Sequence, residues 1–359
     1  MIKYIGSKRR LVPVLGAICT ATEARSALDL FTGTTRVAQE LKGRGAVVTA
    51  VDTARYAEVF ARCYVATDGD SVDRRALAEE LGRLNDLPGN PGYVTETFCH
   101  RSRFFQPHNG ARIDAVRQAI AEDHGGTALE PILLTSLIDA ADRVDSTTGV
   151  QMAYVKQWAP RSHRPLELRM PGLLVGAGTA VRADAVSIVE SHAPVDLAYL
   201  DTPYNQHRYT ANYHIWETLV AWDAPAHYGV ACKRNDLREP GARSPFNRRA
   251  TMPGALRHLI EKVRARLVVL SYNDESWIDL DELRAMVSVR GAVEVVAFDS
   301  RRYVGARIGI HNPRGERVGT VGRLRNLEYL VLAGEAQDVA RAAHAARAVR
   351  VPGSPASVA

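Results

Sequence analysis

Apolar residues gather in short runs along the chain. "SALDLF", "AVVTAVD", "DLAYL", "RLVVLSYN", "VEVVAFDS" and "EYLVLAG" are each rich in Val, Leu or aromatic side chains. Runs of this length and composition predict buried strands. Between the early ones lie stretches of good helix formers such as "RVAQELKGRG", which ends at glycine, as many helices do. Strands alternating with helices predict an α/β fold, a mostly parallel sheet covered on both faces.

The alternation fades between about Cys63 and Pro165. There "AVRQAIAED" and "ILLTSLIDAADRV" read as helices, with polar loops expected around "LPGNPGY" and "QPHNGAR". The pattern predicts an inserted, mainly helical region over residues 63–165 and a principal domain from residues 1–62 and 166–335. "VARAAHAARAVR" then reads as a helix running into "VPGSPASVA", so residues 336–359 are expected to form a helical and flexible tail. No internal repeat is apparent.

The 359 residues are 46% hydrophobic, enough for a sizeable core. A formal net charge of +6 and a pI near 9.2 suit a polyanionic partner without requiring one. Cys19, Cys63, Cys99 and Cys232 stand far apart with no close pair, which suggests neither a zinc cluster nor a disulfide framework and fits a reducing interior. "LVPVLGAICTA" is apolar but short; it is expected as a buried helix, not a signal or membrane segment, in a chain that works in the cytoplasm.

Two stretches carry candidate chemistry. In "LDLFTGTTRVA" a strand runs into Asp29, Phe31 and Gly33 and then enters a helix. A glycine there lets a ligand approach the unpaired N–H groups of a helix start. "AVVTAVD" ends in Asp52, nineteen positions after Gly33, where an acid can accept hydrogen bonds from ribose hydroxyls. The second stretch, "DTPYN", follows the buried run "VDLAYL". An adenine 6-amino group is a poor nucleophile because its lone pair is delocalised into the ring. Accepting hydrogen bonds from both its N–H bonds pulls the nitrogen toward tetrahedral geometry. The Asp201 carboxylate and the Thr202 carbonyl can supply the two acceptors, Pro203 stiffens the turn, and the Tyr204 ring can stack on a base.

Together "YIGSK", "LDLFTGTTRVA", Asp52 and "YLDTPYN" resemble the adenine-specific DNA methyltransferases of the Dam-like, α-type motif order. The likeness extends through "RFFQPHNGARID", "LLTSLIDAADRV", "TTGVQMAYVKQW", "NYHIWETL", "LSYND" and "NLEYLVL". It implies a Rossmann-like, seven-stranded catalytic domain that binds S-adenosylmethionine, with the inserted region recognising the DNA target. By position, Tyr4 and Lys8 fall in the motif that closes over the donor, Phe31 and Gly33 in the donor loop and Asp52 at the ribose. Asp184 falls at the donor's adenine. Asp201, Thr202, Pro203 and Tyr204 take the catalytic places. Two departures stand out: Thr202 replaces the usual second residue of Asp-Pro-Pro-Tyr, and Thr35 replaces a second glycine of the donor loop.

The resemblance also implies double-stranded DNA as partner, since a base inside a duplex must be flipped out to be reached. Arg101, Arg103, Phe104, Phe105 and Arg112 in the inserted region are candidates to hold the DNA and read its bases, and Arg301, Arg302, Arg307, Arg314 and Arg317 around an expected "NPRG" hairpin are candidates to clamp the backbone. Asn205, Tyr209 and Tyr213 are expected to shape the loop over the base. His207 and His214 lack companions for a ligand set, so no metal is expected. A separately encoded restriction endonuclease would be the functional counterpart in a bacterial or phage setting. The rival reading is a DNA-binding protein of the same fold without turnover; RNA adenine or protein glutamine methylation is disfavoured by "YIGSK" and by a recognition region placed before the tetrapeptide.

Overall fold

The computed structural model describes residues 2–6, 8–203, 209–239, 244–274, 276–301, 310–311, 317–319 and 325–351. Its strands are β1 (Ser26–Leu30), β2 (Val47–Asp52), β3 (Gly178–Arg182), β4 (Val195–Leu200), β5 (His227–Tyr228), β6 (Lys233–Arg234), β7 (Ala265–Asn273), β8 (Ala292–Arg301), β9 (Ile310–His311), β10 (Arg317–Gly319) and β11 (Arg325–Gly334). Seven of them make one sheet in the order β3-β2-β1-β4-β7-β11-β8. From β3 to β7 every pairing is parallel, while β11 runs antiparallel between β7 and β8. This is the Rossmann-like α/β architecture expected of a methyltransferase. The six predicted strands are all present. The seventh, "GTAVR", escapes the sequence pattern because it is a short edge strand with no fully buried residue.

Alternation of side chains sends successive strand residues to opposite faces. Leu28, Leu30, Ala198, Leu200, Val268 and Leu270 face the helices Ala185–Ser191, Met252–Lys262 and Leu280–Val287. Leu197, Tyr199, Leu267 and Val269 face the other side, under the helices Val12–Ala21 and Arg36–Gly43. That second face is completed by the Ala/Arg-rich helix Ala336–Ala348, which buries Val339, Ala342, Ala343 and Ala346 in the same cluster. The helix is therefore built into the sheet's core; residues 352–359 of the expected tail lie outside the described residues.

Within residues 63–165, Phe98, Phe104, Ile113, Leu133 and Leu137 are wholly buried in a separate cluster that also takes in Tyr56, Phe60, Tyr213 and Trp216 from outside that stretch. "QPHNGAR" is not a loop. A helix, Pro107–His124, starts at its proline, a position where the missing N–H costs nothing. Gly110 lies inside that helix because a Cβ there would collide with the Cys99 sulfur. All four cysteines are buried and unpaired. Among the described residues no helix is long and apolar enough to cross a membrane. β9 and β10 pair antiparallel on either side of the expected "NPRG" turn, whose residues lie outside the described ones.

Register decides what meets at the sheet's edge. Leu30 of β1 lies opposite Val51 of β2 on one side and Leu200 of β4 on the other. The next residues along, Phe31, Asp52 and Asp201, therefore lie at one level at the end of the sheet. The chain order reverses here, with β2 to one side of β1 and β4 to the other, and open α/β sheets bind ligands at such a point.

Candidate active site

Beyond β1 the chain turns through Phe31 (φ +68°), Gly33 (φ +51°) and Thr35 (φ +60°). Three left-handed residues in five curl the loop tightly and aim its backbone at the end of β2. The Gly33 N–H donates to Asp52 Oδ2 at 2.9 Å, and the Ala54 N–H donates to Oδ1 at 2.9 Å. Glycine is needed at 33 for a second reason: a Cβ there would sit 3.1 Å from the Tyr4 hydroxyl and 3.3 Å from its ring. The Tyr4 ring is stacked between Tyr209 and Tyr213, with centroids 5.3 and 4.7 Å away and 13° between the planes in both cases. Its hydroxyl lies 3.1 Å from that of Tyr56.

Thr35 occupies a conformation that β-branched residues rarely adopt. It is wholly buried, donates to the Thr34 carbonyl at 2.7 Å and accepts from the Gln39 amide at 2.8 Å. Asp29, just before the loop, is 1% exposed and takes the Thr32 hydroxyl at 2.7 Å on Oδ2. Its Oδ1 is buried with no hydrogen-bond partner. Burial first of all, and the nearby Asp201 and Asp52 carboxylates with it, pushes its carboxyl up to about 7 against the Thr32 hydrogen bond.

Asp201 is the first residue past β4. Burial raises its carboxyl to about 6, while the ammonium of Lys8 pulls the other way. Lys8, 8% exposed, places Nζ 3.1 Å from Asp201 Oδ1 and 2.9 Å from Glu328 Oε1 on β11. Lys8, expected in the motif that closes over the donor, is paired with the acid of "DTPY". Thr202 is wholly buried, and its hydroxyl has no hydrogen-bond partner. Tyr204, Asn205 and His207 lie outside the described residues.

A cavity of about 470 Å³ joins the two constellations: Phe31, Asp52 and Asp184 share its wall with Asp201, Pro203 and Tyr209. The volume lies within the roughly 300–1,000 Å³ typical of ligand pockets. Asp184 caps the helix Ala185–Ser191 by accepting from the Val186 N–H at 2.8 Å. Asp29, Gly33 and Lys8 stand behind the wall. Glu217 and Arg234 are among the wall residues that were not anticipated. Glu217 is buried, its carboxyl pushed up to about 7 by desolvation, and it accepts from the Tyr56 N–H at 3.2 Å. Arg234, 3% exposed, is gripped by Asp223 and Asp236, each at 2.7 Å. Neither shows in the sequence, because each depends on partners that only the fold supplies.

The basic candidates divide. Arg101 is exposed and paired with Glu96 at 2.9 Å. Arg103 lays its guanidinium 4.7 Å over the Trp158 ring and donates to the Lys156 carbonyl at 2.8 Å. Phe104 and Phe105 are completely buried, Phe104 against Tyr154 and His214, so they build the inserted core and cannot touch DNA. Arg112 is half-buried and donates to the Asn85 carbonyl at 2.6 Å, which makes it a brace between helices and not a free cation. The side chain of Arg301, at the end of β8, and the whole of Arg302 lie outside the described residues, as do Arg307 and Arg314 and the side chain of Arg317. His214 is a core imidazole, bonded to the Ala231 carbonyl at 2.8 Å and lowered to about 4 by burial. Among the described residues no cluster could hold a metal ion.

Residues 4–286 match the family described as D12 class N6 adenine-specific DNA methyltransferase. The chain is 28% identical over 317 residues to the type II methyltransferase M.NlaIII of Neisseria lactamica, covering 84% of this chain and 92% of that protein. It is 28% identical over 315 residues to the type II methyltransferase M.CviAII of Paramecium bursaria Chlorella virus 1, with the same coverage of 84% and 92%. Against the modification methylase StsI of Streptococcus sanguinis it is 27% identical over 323 residues, 84% of this chain and 49% of that protein.

Proposed function

Since this chain belongs to the D12 class N6 adenine-specific DNA methyltransferases, we propose that it takes a methyl group from S-adenosylmethionine and places it on the 6-amino group of an adenine flipped out of double-stranded DNA. The observation that carries this reading is the single cavity shared by Asp52 and Asp201. A donor at Asp52 and a base at Asp201 would then lie in one enclosure.

The residues present fit the donor. Asp52 would accept from its ribose, and Asp184 would meet its adenine. Gly33 leaves the turn beside Asp52 without a side chain, and the cavity wall adds Phe31 and Asp184. When bound, S-adenosylmethionine supplies an electrophilic methyl carbon, which the adenine nitrogen takes as the carbon–sulfur bond breaks. Asp201 holds one N6–H, and since Lys8 lies against Oδ1, Oδ2 is the oxygen that would do so. The Thr202 carbonyl takes the other N–H, and Tyr204 stacks on the base. At neutral pH a carboxyl near 6 is ionised and can only accept. The surplus proton of the methylated nitrogen leaves to water, so no strong general base is required.

Arg101 and Arg103, on the inserted region, would hold the phosphates that flank the extruded base. The biological setting we propose is restriction-modification, with methylation protecting sites that a separately encoded endonuclease would cut. Transfer of labelled methyl from S-adenosylmethionine to mixed-sequence DNA, followed by sequencing that detects modified bases, tests both activity and site. Donor binding without any label on DNA would instead favour a DNA-binding protein that does not turn over.

A further inference from the structure

We infer that Glu328 is a positioning residue for methyl transfer, acting through Lys8 to keep one oxygen of Asp201 open to the substrate. The inference rests on the methyl-transfer reading above. Glu328 sits on β11, opposite Asn273 of β7 on one side and Phe298 of β8 on the other, so the sheet ladder fixes its backbone. Its side chain is only 18% exposed and reaches Lys8 at 2.9 Å, while Lys8 reaches Asp201 at 3.1 Å. One ammonium thus stands between two carboxylates on different strands.

The charge count gives this arrangement its use. A lone Lys8–Asp201 pair would be neutral, and an ammonium with three N–H donors could swing across both carboxylate oxygens. It would then compete with the adenine amino group for the same acceptor. Glu328 draws the ammonium toward β11, so Asp201 keeps a free lone-pair direction; the charge of Glu328 itself raises the Asp201 carboxyl, against the pull of Lys8. Among the described residues, the other ionisable groups whose charge reaches Asp201 are Asp29 on β1 and Tyr199 on β4. Neither can anchor Lys8 in this way: Asp29 is tied to Thr32, and Tyr199 is a phenol that burial holds in its neutral form.

The test compares the full-length parent with Glu328→Ala, Glu328→Gln and Lys8→Met. Single-turnover transfer of labelled methyl to DNA is followed across pH, with donor affinity by calorimetry and the KM for DNA as controls. Glu328→Ala is expected to slow the single-turnover rate about tenfold, the scale of a modest misplacement of a catalytic group, with donor affinity and KM changed less than twofold. Its acid limb should move below that of the parent, because a negative neighbour of Asp201 is gone. Lys8→Met should move the acid limb the opposite way. If Glu328→Ala does not fold, Glu328→Gln decides by the same downward shift. An unchanged rate, a loss confined to donor affinity or KM, or limbs that move in the same direction would overturn the inference while leaving an active parent. A parent that transfers no label would bring down the methyl-transfer reading as well.

Discussion

The Gly33 N–H and the Asp52 carboxylate are joined by a 2.9 Å hydrogen bond that ties the loop after β1 to the end of β2. Asp52 therefore shapes the loop after β1 and, in the function proposed above, would face the donor with the same group. Asp52→Ala is expected to weaken S-adenosylmethionine binding at least tenfold and to leave DNA binding near the parent's value. Calorimetry with the donor and a gel shift with DNA check this; a parental donor affinity would remove Asp52 from the site.

Two substitutions in that loop should act in opposite directions. Gly33→Ala forces a side chain into a left-handed conformation, at about 1–2 kcal/mol, and into the Tyr4 ring. Donor binding should fall. Thr35→Gly relieves the same strain at 35, offset by a more flexible unfolded chain and a lost contact with Gln39. Its stability should stay within about 1 kcal/mol of the parent, with donor binding at least as tight. Chemical denaturation and calorimetry on both variants decide.

Asp201→Ala should abolish methyl transfer and leave DNA binding largely intact. The pH dependence has a sign. Asp201 must be ionised to accept the amino hydrogens, and its carboxyl lies at about 6. Transfer should therefore be full above that pH and fall about tenfold per unit below it. A rate that rises on acidification would contradict the acceptor role.

Asp29 offers a stability measurement free of turnover. Its folded-state carboxyl, at about 7, lies above the usual unfolded value. As pH rises from about 4 to 7, the unfolded chain gives up this proton before the folded one does, so stability is lost across that window. Asp29→Asn removes the ionisation. The variant should match the parent near pH 4 and exceed it above pH 7 by roughly 2–4 kcal/mol, provided the Thr32 contact survives. Denaturation curves at the two pH values measure the difference.

In the inserted region, Arg101→Ala with Arg103→Ala should weaken DNA binding and reduce its salt slope by roughly two. Phe104→Ala should instead cost about 3–5 kcal/mol of stability. Equal loss of DNA affinity from Phe104→Leu, with stability unchanged, would mean that the ring is reachable after all.

Much of the fold was legible because its signals are local. "VDLAYL" followed by "DTPY" marks a buried strand ending at an acid, and Asp52 closes "AVVTAV" in the same way. Pairing β1 with both then places the two acids at one level of the sheet. What stayed hidden depends on long-range neighbours. Lys8 could be assigned to a motif, but the strand bearing Glu328, far along the chain, determines where its ammonium rests. Phe104 sits in a basic and aromatic stretch that suits a DNA surface equally well by composition. Only the helices packed over it reveal which way it points. "QPHNGAR" reads as a turn because Pro, Asn and Gly are turn formers, yet Gly110 is required by a cysteine in another segment.

The insertion of β11 between β7 and β8 bears on synthesis of the chain. A ribosome makes β7 and β8 before the strand that separates them, so a nascent polypeptide cannot close this sheet until β11 has emerged. The carboxylate that steadies Lys8 arrives at the same moment. Fragments released early would carry "DTPY" without the setting that orients its acid, so the ability to mark DNA would arise only once β11 has been made.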